Sequence, residues 1–203
     1  MTREPLHLTH PVEDVHHRGD PLGRSYTPDA CALAIMRRLL PMTGERMALT
    51  PWVLEPCVGG GAFVRAAKSL VPSVWCAGYD VDPEAPGLGQ CSLPVVLDFS
   101  RPDAIPVDEY NIAVTNPPFG KAVGQDTTLS IVRNARLSAR ISAMLLPVDV
   151  ICQAGFEADV ACAAEVWPLL PRPWPHERGM VVLVHVAGHT GPTVFRPLRW
   201  RAT

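Results

Sequence analysis

The chain has 203 residues, 47% of them hydrophobic, and a formal net charge of −2. That is enough apolar material for one well-buried α/β domain and too little length for two comfortable ones. No apolar run approaches the roughly 18–20 residues of a membrane span, and the slight acidic balance argues against a protein that grips nucleic acid through a broad basic surface.

Residues 1–24 are polar, carry His7, His10, His16 and His17, and have no apolar period, so they read as a flexible arm. No cysteine or carboxylate stands at a ligand-like spacing from those histidines, and no metal is expected. Residues 25–203 read as one catalytic domain with no separate target-recognition domain. Thr27-Pro28-Asp29 opens a helix over Ala30–Leu40, which Pro41 stops. Trp52–Leu54 reads as a first strand, Gly59–Gly61 as a turn, and Ala62–Leu70 as a helix broken near Pro72. Strands follow at Val74–Tyr79, Val95–Leu97 and Asn111–Thr115, then a helix over Leu129–Arg140 with a basic face. A fifth strand at Ala143–Leu146 and a helix over Phe156–Ala164 lead to two last strands, Val166–Leu170 and Met180–Ala187. Short apolar strands alternating with helices predict an open, mostly parallel seven-stranded sheet with helices on both faces. The helix-free loop 171–179 predicts a terminal hairpin, and hence an antiparallel edge on a parallel sheet.

Six cysteines without a C-x-x-C pair, and no secretory leader, point to a reducing, cytoplasmic setting. Any basic surface has to be local. Arg133, Arg136 and Arg140, with Arg196, Arg199 and Arg201 near the end, are the candidates, as phosphate contacts or simply as solvated faces.

Four segments carry chemistry, each directly after a strand. Glu55-Pro56-Cys57-Val58-Gly59-Gly60-Gly61-Ala62-Phe63 is a glycine turn opening a helix. Glycines there admit positive φ and close approach of a ligand, and the helix start offers free N–H groups. A dinucleotide loop is disfavoured, because position 64 is Val64 and the acidic Glu55 would face a pyrophosphate. Glu55 suits a cationic ligand instead. Asp80, 25 residues later in Gly78-Tyr79-Asp80-Val81-Asp82-Pro83, is placed to accept the two hydroxyls of a ribose, while Asp82 before Pro83 reads as the cap of a helix. Asp98-Phe99 could accept from an adenine amino group and lie against its ring. Asn116-Pro117-Pro118-Phe119-Gly120 is the most specific signal: two prolines fix φ and force a stiff hook out of helical conformation.

Together these segments resemble the S-adenosylmethionine-dependent amino-methyltransferases that act on exocyclic nitrogens, in the order found among the N6-adenine enzymes. Tyr26-Thr27-Pro28 is similar to the family's Tyr/Phe-x-Thr-Pro element ahead of the glycine turn. The resemblance spans about residues 25–187 and implies a Rossmann-like class I methyltransferase fold with S-adenosyl-L-methionine as cofactor. It implies that Tyr26, Thr27 and Pro28 flank the cofactor, with Thr27 near its carboxylate. Glu55, Gly59 and Gly61 would line the methionine moiety, Asp80 would take the ribose hydroxyls, Asp98 and Phe99 would meet the adenine, and Pro56 and Val81 would also lie at the cofactor. Asn116, Pro117, Pro118 and Phe119 would be the catalytic loop. The stretch 83–94, with prolines 83, 86 and 94 and glycines 87 and 89, departs from the fuller helix the family carries there.

The resemblance implies adenine N6 in DNA or RNA as the target. A small, near-neutral protein has little surface to offset base flipping, so single-stranded or unstacked adenine is favoured, and there is room for a separate specificity subunit. Two other readings stay open: methylation of a protein glutamine N5, whose amide is equally planar, and a non-catalytic subunit or binding module that keeps the fold.

Overall fold

The computed structural model describes residues 26–44, 51–101, 110–119, 123–173 and 179–200. The expected arm and its histidines, with Gly120 and Arg201, lie outside them. Helix α1 spans Asp29–Leu39 and runs into a 3₁₀ turn at Leu40–Thr43. Strand β1 (Trp52–Glu55) leads through the glycine turn into α2 (Ala62–Leu70), followed by β2 (Trp75–Asp80), β3 (Leu93–Val96) and β4 (Tyr110–Thr115). Helix α3 (Gln125–Ser138) feeds β5 (Ala139–Pro147) without a loop. Two single-turn helices, α4 (Val148–Ile151) and α5 (Glu157–Ala161), precede β6 (Glu165–Leu170) and β7 (Met180–Val186). The two-residue strands β8 (Val194–Phe195) and β9 (Leu198–Arg199) close the series.

The sheet runs β3-β2-β1-β4-β5-β7-β6-β8, with β9 also beside β6. All pairings are parallel except those of β7, which is antiparallel to both β5 and β6. Nine strands are present among the described residues, the two beyond the expected seven being the short β8 and β9. The terminal hairpin forms, and its second strand inserts between β5 and β6. Composition explains the choice. In β7, Met180–His185 are all buried, and an apolar run of that kind needs a strand on each side and a layer on each face. β6 carries Glu165 and Pro168, residues that suit a less enclosed position.

Period-two alternation sorts the strands between two cores. Val53, Cys76, Ile112, Val114, Ala143, Leu145, Val182 and Val184 face α1 and α2. Their chain neighbours Leu54, Ala77, Ala113, Met144, Leu146, Val181 and Leu183 face α3. Helices therefore cover both faces, as the sequence predicts. Among the described residues no helix is long and apolar enough to cross a membrane.

Some boundaries move. Arg140 belongs to β5 and not to the helix before it, and the helix expected over Phe156–Ala164 shrinks to α5. In the Pro/Gly-rich stretch after β2 the only helical element is a 3₁₀ turn at Leu88–Gln90, and Ala85 and Leu88 are buried against the α1/α2 face.

Candidate active site

Strand order reverses at β1, which sends its chain to β2 on one side and is flanked by β4 on the other. In open α/β sheets ligands lie at such a switch point, off the carboxyl ends of the strands. Here that edge holds the glycine turn after β1, Asp80 at the end of β2 and Asn116–Phe119 after β4. The register pairs Glu55 with Gly78 on one side, and Leu54 with Ala113 on the other. The three sequence motifs therefore leave adjacent strands, whose spacing is about 4.8 Å.

The turn is built on backbone hydrogen bonds. Val58 N–H donates to the Tyr79 carbonyl (2.9 Å) and Gly61 N–H to that of Val58 (2.7 Å). Gly61 has φ +76°, and a Cβ there would come within 2.8 Å of Gly87 Cα, so both conformation and space demand glycine. Gly87 N–H donates to the Gly59 carbonyl (2.8 Å), which fastens the stretch after β2 onto the turn. The Tyr26 ring covers the other side: a Cβ on Gly59 would lie 3.1 Å from its Cε1, and one on Gly60 3.5 Å from its Cδ1. The Tyr26-Thr27-Pro28 segment is thus brought to the turn, Pro28 capping α1 by accepting the N–H groups of Cys31 (2.9 Å) and Ala32 (3.0 Å).

Glu55 is 3% exposed, and its Oε2 is buried with no hydrogen-bond partner. Burial pushes its carboxyl pKa well above the ordinary value of 4.5; the Val64 N–H and the Arg65 charge oppose that shift, and Asp80 adds to it. Pro56 beside it is buried. Cys57 is drawn into the same centre, its thiol pKa raised by burial first and then by Asp80, with the Thr115 hydroxyl opposing and Glu55 and Asp98 adding smaller increases.

Asp80 is half-buried at the strand end. Its Oδ2 accepts the Gly59 N–H (2.8 Å) and its Oδ1 the Asp82 N–H (3.0 Å), so it braces the turn while keeping acceptor capacity, since a carboxylate offers about four lone-pair sites. Asp82 Oδ1 accepts the Glu84 N–H (2.9 Å) within a turn, and the helix it is expected to cap does not form, since the chain turns until the 3₁₀ segment at Leu88–Gln90. Val81 is 48% exposed at the mouth of the site. Asp98 is exposed, and its Oδ1 accepts both the N–H (2.9 Å) and the hydroxyl (2.7 Å) of Ser100. Phe99 goes elsewhere than expected. It is 2% exposed in the α3-side core, edge-on to Tyr79 at 5.3 Å between centroids. A ring held there is core, and it does not stand open to a ligand's adenine.

In the hook, Pro117 is buried while Asn116, Pro118 and Phe119 are half-buried. Phe119 packs against the apolar clusters of both faces, so it lies across the end of the sheet. The buried Thr128 of α3 donates its hydroxyl to the Pro118 carbonyl (2.7 Å). Nothing in the spacing of the hook announces this brace, which depends on where α3 returns.

The basic face expected on α3 is committed to the fold. Arg136 Nη1 meets Asp159 Oδ1 at 2.6 Å, and Arg133 Nη2 meets Oδ2 at 3.3 Å, with Asp159 itself 1% exposed. Arg196 reaches Glu165 at 3.5 Å, while Arg140 and Arg199 are exposed. Among the described residues no group of three or more His, Cys, Asp or Glu could hold a metal ion.

The fold has close counterparts among solved structures. A protein of Listeria monocytogenes assigned to the class I S-adenosylmethionine-dependent methyltransferases superimposes with a TM-score of 0.69 at 13% identity, covering 89% of this chain and 68% of that one. The type IIG restriction endonuclease BpuSI gives 0.62 at 11% identity, over 83% of this chain and 26% of its own. TrmN from Thermus thermophilus gives 0.52 at 20% identity, over 77% and 51%. No family model and no curated protein matches the sequence. The chain thus has the Rossmann-like methyltransferase fold, a level of likeness that leaves substrate open.

Proposed function

We propose that this chain is an S-adenosylmethionine-dependent methyltransferase acting on an exocyclic amino group, with adenine N6 of a nucleic acid as its target. The observation that carries the reading is Glu55: a buried carboxyl with an orphaned oxygen, set under a glycine turn one strand away from the Asn-Pro-Pro-Phe hook. An unpartnered buried acceptor is unfavourable, and a ligand bearing positive charge and N–H groups answers it. A sulfonium amino acid fits that donor set. Tyr26–Pro28, Glu55 and Gly59–Gly61 would hold its amino-acid portion and Asp80 its ribose. The burial of Phe99 leaves Val81 and Asp98 to meet the adenine. When bound, S-adenosylmethionine supplies an electrophilic methyl group.

The residues of the hook supply the rest. The lone pair of an adenine amino nitrogen is delocalised into its ring, which makes it a weak nucleophile. The Asn116 side-chain oxygen and the Pro117 carbonyl would each accept one of its N–H groups, favouring a pyramidal nitrogen with its lone pair aimed at the donor. Preorganised acceptors of this kind act on the transition state, and their rigidity sets the line of approach. Phe119, lying across the sheet end, would stack on the base, worth about 1–3 kcal/mol.

The test is transfer of labelled methyl from S-adenosylmethionine to total RNA, DNA and protein, followed by digestion. The expected product is N6-methyladenine, with faster turnover on single-stranded than on duplex oligonucleotides. Label in a protein amide would assign the chemistry to glutamine, and cofactor binding without any transfer would leave a binding module.

A further inference from the structure

Arg65 sits one turn into α2, at half-buried depth. Its Nη1 donates to the Gly60 carbonyl (2.5 Å) and to Gln90 Oε1 (3.1 Å), and its Nη2 meets Asp29 Oδ1 at 2.6 Å. Those acceptors lie on separate segments: the glycine turn, the stretch after β2, and the first residue of α1, two positions beyond Thr27. Lys68 adds a second tie to the Gln90 carbonyl. Gln90 in turn stands against Gly61, where a Cβ would lie 3.0 Å from its Oε1.

We propose that Arg65 is a positioning residue for the cofactor site, its guanidinium locking the start of α1, the glycine turn and the stretch after β2 into one cradle around Glu55. The inference rests on the functional reading above and adds a residue that the motifs do not contain. Arginine is suited to the task because its planar fork presents donors in several fixed directions, whereas lysine offers a flexible point charge. The stretch after β2 lacks the helix that would hold it by its own backbone, so ties from α2 take over that work. Arg65 also sets the electrostatics of the site. Its charge opposes the upward shift of the Glu55 carboxyl, against burial and against Asp80 from β2. The other titratable groups around Glu55 are the thiols of Cys57, Cys76 and Cys91, each shifted upward by burial first and, more weakly, by Glu55.

The experiment is calorimetric titration of S-adenosylmethionine into the full chain and into R65M and R65K, across about pH 5 to 8.5, with thermal unfolding of each protein alongside. R65M should bind about tenfold more weakly at neutral pH, as for a lost charge-assisted contact. Its affinity should also begin to fail at higher pH than the wild type's, because Glu55 then holds its proton longer. R65K should lose affinity too, since one ammonium cannot reach all three acceptors, yet keep the wild-type acid limb because the cation remains. That split between affinity and pH profile is not produced by general loosening of the fold. If R65M does not fold, R65K decides. A folded variant with wild-type affinity overturns the inference while leaving the functional reading intact, and a wild type that binds no cofactor overturns both.

Discussion

Replacing Glu55 by glutamine keeps the shape of the side chain and removes its titration from the middle of the site. In the wild type the carboxyl is 3% exposed and holds its proton well above 4.5. Once pH exceeds that ordinary value, the unfolded chain ionises Glu55 and the folded chain does not. Folding then takes up a proton, so stability falls as pH rises, from about 4.5 up to the raised value. Within that window each pH unit removes about 1.4 kcal/mol of stability relative to a neutral side chain. For a chain of this size that is about 3–6 °C in Tm per unit. E55Q should therefore gain on the wild type steadily with pH, reaching a plateau once the wild-type carboxyl ionises in the folded state. Scanning calorimetry of both proteins across the acid and neutral range measures the difference. His185, held down to about 4 mainly by burial, makes stability fall as pH drops below 6.5. It does so in both proteins and cancels. A Tm difference that stays flat with pH would refute the reasoning. Added S-adenosylmethionine should raise Tm in the wild type and leave E55Q nearly unmoved, by linkage of binding to the folded state.

Asn116→Ala should leave cofactor affinity nearly intact and reduce kcat by about 10²-fold or more, as expected for a lost transition-state acceptor; unchanged turnover in steady-state kinetics would disprove the role of the hook. Thr128→Val removes the donor to the Pro118 carbonyl and should lower kcat by about tenfold through misplacement of the loop, with cofactor affinity by titration within about twofold. Asp159→Asn takes the carboxylate from Arg133 and Arg136. Both arginines are partly solvated, with side-chain exposures of 51% and 34%, so the expected loss in calorimetry is about 1–3 kcal/mol and not the larger penalty of a stranded buried charge. A loss under about 0.5 kcal/mol would show that the network contributes only surface-type pairing.

The sequence made legible whatever depends on neighbours in the chain. Alternation and turn chemistry placed β1, α2 and β4 to within a residue or two, because each is a short apolar run bounded by glycine or proline. The glycine turn, Asp80 and the hook could be located because they follow strand ends, and the parallel sheet then brings them together. What could not be read were contacts that depend on a distant segment's return. The insertion of β7 between β5 and β6 turns on which strand is apolar along its whole length. Phe99 carries the same letters whether its ring enters a pocket or the core, and only the approach of Tyr79 decides. Arg133 and Arg136 appear as a basic stripe until α5 brings the buried Asp159 beneath them. Thr128 and Arg65 give no local sign, since the acceptors that tie them to other segments, Pro118 for the one and Gln90 and Asp29 for the other, lie 10 to 36 residues away.

That commitment of arginines bears on how a substrate can be held. Arg38 and Arg196 are tied to Glu165, Arg38 also lying 4.3 Å from the centroid of the Trp167 ring. Arg65 is tied to the cradle, and Arg133 and Arg136 to Asp159. These cations are engaged in ion pairs and hydrogen bonds within the fold, in a protein whose net charge is already −2. Phosphate neutralisation is the sequence-independent source of nucleic-acid affinity and scales with the number of free cations. With those cations committed, recognition on the proposed reading shifts toward the base itself, through stacking on Phe119 and the acceptors of the hook. Stacking is available at once on an unpaired base. In a duplex it must first outweigh the few kcal/mol of extrusion, which phosphate contacts would ordinarily help to offset. On the proposed reading, the same commitment of cations would favour substrates whose target adenine is already exposed.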